Sequence, residues 1–588
     1  MRTVPFLGSQ SAGLNMSREP KHSFMGVKIF LSKYAILLVL VFAALIRLIG
    51  VDYGLPYLYF PDEHHFTYPA FRILTEGDLN PHWFGHPGSF VTYILAILWI
   101  VVIGIHMLLG ALSGNPTTFS DIQQQIAGIP HSDPTMFYLS GRILMIVFSL
   151  ITIYALYILG KKHLNRTIGL LSAFLLAISP LFIDFSRRIR TDVSSAMLIT
   201  LSLLFLMNFF DDNPRTKWLV LSSLFAGFSV ASKYTSVIVV CPILIYCVIC
   251  DRKANKSLPF RRYVVYFFRQ KTNLSRAMLW IFIGFFIFAP FVILDFPSAF
   301  RDISKELNMD YFFAIGQPGL DNYNWYIKEV LNPQLSQPFY IYIVLLGLLF
   351  VLTKKNREPK LWLLFLFPVL YFVLTGLGGL RWSRWMVPIL PFTSLLFSIG
   401  ICAFYKGITQ SVTGKAKAVW IITLTVFLGA LSYPTIVYDF EQANLLTRSD
   451  RRTIAKEWIE ENLPEGSTIA YEADGPLLHI RPKRRFELID MSWQRITSRP
   501  FRFYERKGVE YLLINRFSKS NILRRAGKYP LKASRYEEIE KRAQLIRVFN
   551  EKGHPGGVYE LYKLKKKGDC HLFWKPNLKL IHLDLYFI

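Results

Sequence analysis

Long apolar runs alternate with short charged connections from Tyr34 to about Tyr438, after which the pattern changes. The runs cover residues 34–51, 136–159, 167–184, 193–210, 217–232, 235–250, 278–295, 338–353, 361–376, 385–405 and 418–437, with one more at 89–111. Most approach the roughly 20 apolar residues that a helix needs to cross a bilayer. The pattern therefore predicts an α-helical polytopic membrane protein. From Arg448 the signals are those of a small α/β unit. Ser449-Asp450 ahead of Ile454 and Trp458 reads as a capped amphipathic helix, and 466–471, 508–514 and 558–562 read as strands. This gives a basic tail at 1–33, a membrane unit at 34–438 whose first outer loop is 52–135, and a soluble extracytoplasmic unit at 439–588.

Charge decides how the runs are threaded. With the tail in the cytoplasm and 89–111 crossing fully, Lys161-Lys162-His163 and the basic stretch Asp251–Arg276 would lie outside, against the positive-inside rule. If 89–111 is instead re-entrant or lies along the membrane surface, the loops Lys161–Arg166, Asp211–Lys217, Asp251–Arg276, Lys354–Lys360 and Tyr405–Lys417 all become cytoplasmic. About eleven spans result, with the C-terminal unit outside.

Composition agrees with this class, at 52% hydrophobic and 15% aromatic residues. A formal charge of +27 raises the question of nucleic acid, but much of the excess sits in the short loops that set topology. No nucleic-acid partner is expected. Four of the five cysteines, Cys241, Cys247, Cys250 and Cys402, fall in or beside apolar runs and read as packing residues. The first apolar run lacks a cleavage site after a short core and reads as a retained anchor. In the C-terminal unit, Pro482–Arg485 and Lys565-Lys566-Lys567 suit anionic headgroups or an anionic acceptor, or form a solvated surface; the apolar stretch His571–Ile588 docks on the membrane or on its own unit.

Candidate chemistry gathers on the outer face. Phe60-Pro61-Asp62-Glu63-His64-His65 follows the first run directly, and ionisable groups at a span mouth are costly unless they pair, bind a ligand or face water. Arg187, Arg188, Arg190, Lys233, Arg381 and Arg384 break the topology rule, which is tolerable where an anion offsets them; guanidinium suits phosphate, so a phosphate-bearing lipid is the natural ligand. Asp192 either orients an arginine, contacts substrate or caps the fourth span. His64 and His65 offer a divalent metal site together with Asp62 or Glu63, although no metal-binding spacing is present. No cofactor is otherwise expected. With no Gly-rich nucleotide loop between a strand and a helix, a donor arriving from the bilayer is simpler than a sugar nucleotide.

The first-loop Pro-Asp-Glu, His86-Pro87, Arg190-Thr191-Asp192, Lys233-Tyr234-Thr235 and Arg381–Pro391 resemble glycosyltransferases of the GT-C superfold, nearest to protein O-mannosyltransferases and lipid A aminoarabinose transferases. The resemblance covers roughly Tyr34 to Tyr438. It implies a polyprenyl-phosphate-linked sugar donor, an extracytoplasmic acceptor that is protein, lipid or glycan, and transfer with inversion at the anomeric carbon. It also implies a bacterial or archaeal plasma membrane, with the site on the extracytoplasmic side. Asp62 matches the base, His86-Pro87 a motif after it, and Arg381 or Arg384 the lipid-phosphate contact. Beside the resemblance, the residues themselves suggest that Glu63 supports Asp62 in catalysis or positions the acceptor, and that His86, Arg190, Asp192, Lys233 and Tyr234 line the substrate site. The long 112–135 insertion and the His64-His65 pair depart from the family pattern. The competing reading is a transporter or flippase of a lipid-linked sugar, but its charges would lie near the midplane of inverted repeats, and here they collect at one face.

Overall fold

The computed structural model describes residues 21–86, 88–210, 216–254, 272–308, 316–335, 338–353, 359–410, 413–472, 474–491 and 495–565. Pro87, Lys566-Lys567, the stretch His571–Ile588 and parts of the basic loops at 211–217, 251–276 and 354–360 therefore lie outside the described residues.

The apolar runs form helices α1 (Lys21–Leu48), α3 (Ser89–Leu112), α5 (Thr135–His163), α6 (Arg166–Ala177), α7 (Pro180–Ser186), α8 (Thr191–Phe209), α9 (Thr216–Ser232) and α10 (Val240–Ala254), with α2 (His64–Glu76) and α4 (Phe119–Ala127) in the first loop. They continue as α11 (Asn273–Phe288), α12 (Phe296–Leu307), α13 (Leu320–Trp325), α14 (Tyr340–Leu352), α15 (Pro359–Gly376), α16 (Leu390–Thr409) and α17 (Lys415–Leu445). Local sequence sets several of the breaks. Ser179 Oγ accepts from Phe182 N and Pro180 opens α7, so α6 and α7 meet at a 62° bend. The bend frees Ala177 O, which accepts from Arg47 Nη1 at 3.0 Å. Among the described residues, six helices are long and apolar enough to cross a membrane, or eight if each of two bent pairs forms one span. Three further apolar helices are shorter. Ser89–Leu112 is one of the six, so this set includes the run that the sequence reading left out of its eleven, and it does not include the 217–232 run that the reading counted.

The 89–111 run is one unbroken helix, not a chain that dips and returns. Phe90 meets Phe148 with ring centroids 6.1 Å apart, Leu95 packs beside Gly141, and Trp99 Nε1 donates to Phe137 O at 3.0 Å. Rising numbers in α3 meet falling numbers in α5, so α3 lies antiparallel along the first half of α5. Its last turns, with Ile105, Leu108, Leu109 and Leu112 exposed, run past the start of α5.

Helix α8 is buried on nearly every side and forms the axis of the bundle. Beside it, α9 and α11 cross with their backbones in contact at Gly227 and Gly284, where a Cβ on Gly284 would strike Leu224 O. Gly284→Val is expected to cost about 1–3 kcal/mol through overpacking, read as a lower unfolding midpoint in detergent; an unchanged midpoint would show that the crossing is loose.

The C-terminal unit holds α18 (Arg451–Asn462), β1 (Thr468–Tyr471), β2 (Glu487–Asp490), α19 (Phe501–Arg506), β3 (Tyr511–Asn515), α20 (Arg516–Arg524), α21 (Pro530–Arg542), β4 (Ala543–Phe549) and β5 (Tyr559–Leu564). The sheet runs β2-β1-β3-β5-β4, parallel across β2, β1 and β3 and antiparallel through β5 and β4. Apolar clusters cover both faces. Asp450 caps α18, accepting from Arg452 N at 2.7 Å.

This unit grips the first loop. Tyr53 donates to Asp450, Tyr59 Oη lies 2.9 Å from Thr453 Oγ1, and the Arg452 guanidinium stacks on the Tyr59 ring at 4.0 Å. Tyr53, Tyr59 and Phe60 form a small apolar cluster with Leu446 and Leu477. The residues leading to Asp62 are thus fixed from above the bundle as well as from within it.

Candidate active site

The site is built on a turn that sends two adjacent carboxylates apart. Asp62 sits at φ +68°, a left-handed conformation rare outside Gly, Asn and Asp, while Glu63 returns to helical φ at −58° and leads into α2. Such a residue costs on the order of 1–3 kcal/mol and persists where its surroundings hold it. Glu63 points inward: its oxygens accept from Arg142 Nε at 3.0 Å and Nη2 at 2.8 Å, and Oε1 also accepts from Ile189 N at 3.0 Å. Arg142 completes its set on Val51 O and Tyr53 O. With Glu63 at 1% and Arg142 at 0% exposure, this pair braces the loop against α5, out of contact with solvent.

Asp62 points the other way and keeps 27% of its side chain exposed. Its Oδ2 accepts from Arg190 Nη2 at 2.8 Å and Arg384 Nη1 at 3.0 Å. Arg190 comes from the extended residue before α8, and its Nε lies 3.5 Å from Asp192 Oδ2 in the first turn of that helix. Asp192 Oδ1 accepts from Lys233 Nζ at 2.6 Å, between α9 and the 3-10 turn Tyr234–Val239. The line Arg384, Asp62, Arg190, Asp192, Lys233 thus carries three cations to two carboxylates. One positive charge is left over beside an accessible carboxylate, an arrangement that suits an anion next to a proton acceptor.

The remaining candidates are placed around this line. His86 stacks on His65 with centroids 4.2 Å apart and accepts from Trp83 Nε1 at 3.1 Å, and His65 stacks on His64. Tyr234 Oη donates to Phe84 O at 3.3 Å and so ties down the 83–86 loop. Arg381 turns away from Asp62 to pair with Asp321 and to donate to Asn322 Oδ1 at 2.8 Å; of the two late arginines, Arg384 is the one at the site. Arg187 donates to Ile46 O and Arg188 pairs with Asp184 at 2.5 Å, so the fold itself occupies these two. His64 and His65 spend their ring faces on each other, and no group of three or more His, Cys, Asp or Glu among the described residues is placed to hold a metal ion.

Two supporting residues escaped the sequence reading. Arg142 is a lone charge inside an apolar run, a signal that marks function or structure in membrane segments. Phe60 lies between two guanidinium groups, 4.6 Å from Arg142 and 4.6 Å from Arg188.

Burial holds the histidines neutral. His64 and His86 lie below the usual range, and His65 is pushed down to about 3, first by burial and then by its histidine neighbours. An unfolded chain takes up a proton near pH 6.5, so between about pH 6.5 and about pH 3 the unfolded state binds more protons. Stability should fall as pH drops through that window and stay level above it. His65→Gln should narrow its stability gap to the parent on acidification, measured as unfolding midpoints in detergent; a gap that widens would refute the burial argument.

Residues 138–275 match the family described as Dolichyl-phosphate-mannose-protein mannosyltransferase. ArnT from Cupriavidus metallidurans in the apo state superposes with a TM-score of 0.50 at 10% identity, over 90% of this chain and 98% of that one. The archaeal oligosaccharyltransferase AglB from Archaeoglobus fulgidus, in complex with an inhibitory peptide and a dolichol-phosphate, gives 0.47 at 14% identity, over 92% and 75%. No curated protein sequence matches the chain closely enough to count as a relative. The likeness to ArnT along nearly the full length of both chains shows the GT-C fold expected from the first-loop motif.

Proposed function

We propose that the chain is a membrane glycosyltransferase that moves a sugar from a polyprenyl-phosphate-linked donor to an extracytoplasmic hydroxyl or amine acceptor, with inversion at the anomeric carbon. The observation that carries this reading is the half-open Asp62 carboxylate set between Arg190 and Arg384. In the reaction the acceptor oxygen or nitrogen attacks the anomeric carbon and gives its proton to Asp62. The bond from that carbon to the phosphate oxygen breaks, and the lipid phosphate leaves with the electron pair. Arg384, Arg190 and, through Asp192, Lys233 supply fixed positive charge where the phosphate charge develops, so departure needs no proton donor. The family matched over residues 138–275 takes its name from a dolichyl-phosphate-mannose donor, which supports a lipid phosphate as leaving group. Glu63, braced by Arg142, positions the loop, and the stacked His65 and His86 rings wall the site beside the carboxylate.

The test is transfer of labelled sugar from a panel of polyprenyl-phosphate sugars by the purified protein in bilayers. Release of polyprenyl phosphate with an inverted glycosidic product is expected. If no donor is consumed while labelled lipid crosses the vesicle membrane, the protein is a flippase and the reading fails.

A further inference from the structure

Helix α12 has two faces with opposite partners. Phe296, Phe300, Ile303 and Leu307 fall on one stripe at helical spacing, and three of them are left largely bare, at 62%, 65% and 81% for Phe296, Phe300 and Leu307. The opposite face carries Ala299 and Asp302, both buried, with Lys305 and Glu306 beside them. That face is spent on the loop leading to His86. Asp302 Oδ2 accepts from Phe84 N at 3.3 Å, Asp295 Oδ2 accepts from Asn80 Nδ2 at 3.2 Å, Lys305 lies over the Trp83 ring at 5.5 Å, and Glu306 reaches within 4.0 Å of His86. The bare stripe is not isolated. It continues an exposed apolar track that runs from Phe282, Phe286 and Ile287 on α11 through Ile293 and Leu294. A helix with bulky apolar groups on one side, charges on the other, and an apolar membrane helix directly before it fits the plane of a lipid surface.

We propose that α12 is an interfacial helix that beds Phe296, Phe300 and Leu307 in the bilayer leaflet nearest Asp62, at the boundary of headgroups and acyl chains, and thereby seats the Trp83–His86 loop beside the site. The chain of contact is short: lipid against the Phe stripe, Asp302 on Phe84, His86 on His65, and His65 three residues from Asp62. Tyr234 holds Phe84 from the other side, so the loop is clamped between the membrane core and a helix whose outer face is lipid. Whatever group the site transfers, its first loop is then held in part by the membrane surface.

Two measurements on the full chain in lipid bilayers test this without an activity assay. The first uses a phosphatidyl lipid with a photoreactive diazirine in its upper acyl chain, mapping adducts by mass spectrometry. Adducts on the Phe296–Leu307 peptide, as well as on the Phe282–Phe286 segment of α11, are expected. Labelling of α11 with none on α12, or cross-linking of α12 to a second protein chain, would overturn the lipid assignment. The second compares hydrogen exchange of residues 83–86 in the parent and in the Phe296→Glu, Phe300→Glu double variant. Exchange there should rise several-fold while that of α8 is unchanged. Exchange of residues 83–86 equal to the parent would show that the lipid contact does not seat the loop. The photolabelling stands by itself should the double variant fail to fold.

Discussion

Asp62→Asn should lower turnover by about 10²–10⁴-fold, the range expected when a positioned proton acceptor is lost, while polyprenyl phosphate still binds. The substitution is close to isosteric, and Asn adopts the left-handed φ of +68° at least as readily as Asp, so the turn into α2 should survive. Asp62 Oδ2 takes both Arg190 and Arg384. Removing its charge therefore leaves Arg384 without its carboxylate and Arg190 with Asp192 alone, and a lipid phosphate should bind as well as before or more tightly. The signature is a fall in kcat with an unchanged or lower KM for the donor. Turnover within a few-fold of the parent would remove Asp62 as base; loss of both binding and turnover would make it a structural residue.

Glu63 should behave in the opposite way. Its carboxylate is fully taken by Arg142 and Ile189 N in a site without solvent. Replacing Arg142 with Met strands a buried carboxylate, and breaking a buried pair from one side costs about 3–5 kcal/mol. Arg142→Met should thus lower the unfolding midpoint in detergent sharply, and the double variant Glu63→Gln, Arg142→Met should recover much of it. If Glu63→Gln instead leaves stability intact and abolishes turnover of the folded fraction, Glu63 takes part in the chemistry and the division of labour within the Asp-Glu pair is wrong.

The difference between these neighbours shows where sequence reading stops. Adjacent acids look alike in a string of letters; the backbone φ at Asp62 sends one to the open side and the other into the core, where their partners, from Arg142 to Arg384, are 79 to 322 residues away in the chain. The charged exceptions to the topology rule were informative because an unexplained cation at a span end needs a partner, and Arg190, Lys233 and Arg384 fall in one line with Asp62 and Asp192. The same rule could not separate Arg384 from Arg381, three residues earlier, since the 3-10 turn Ser383–Ile389 decides which of them faces the site. Arg187 and Arg188 raised the same expectation but are taken by backbone carbonyls and Asp184, partners that no periodicity reveals. In the C-terminal unit the apolar strands β1, β3 and β5 were legible. Strand β2 is four residues long with charged ends, and β4 is an edge strand carrying Gln544 and Arg547 with a register shift; neither has an alternation strong enough to read.

The clasp of the first loop by the C-terminal unit has a consequence for how the protein is made. Tyr53 and Tyr59 leave the ribosome early, but their partners Asp450 and Thr453 lie 397 and 394 residues further along. Synthesis runs from the N-terminus at about 5–20 residues per second, so the loop bearing Asp62 waits on the order of half a minute for its holder. Until then the bundle is inserted but its centre is unfinished. A nascent chain that has not reached Asp450 and Thr453 would sit in the membrane with this loop unheld, so a segment translated late decides when an early loop takes its final form.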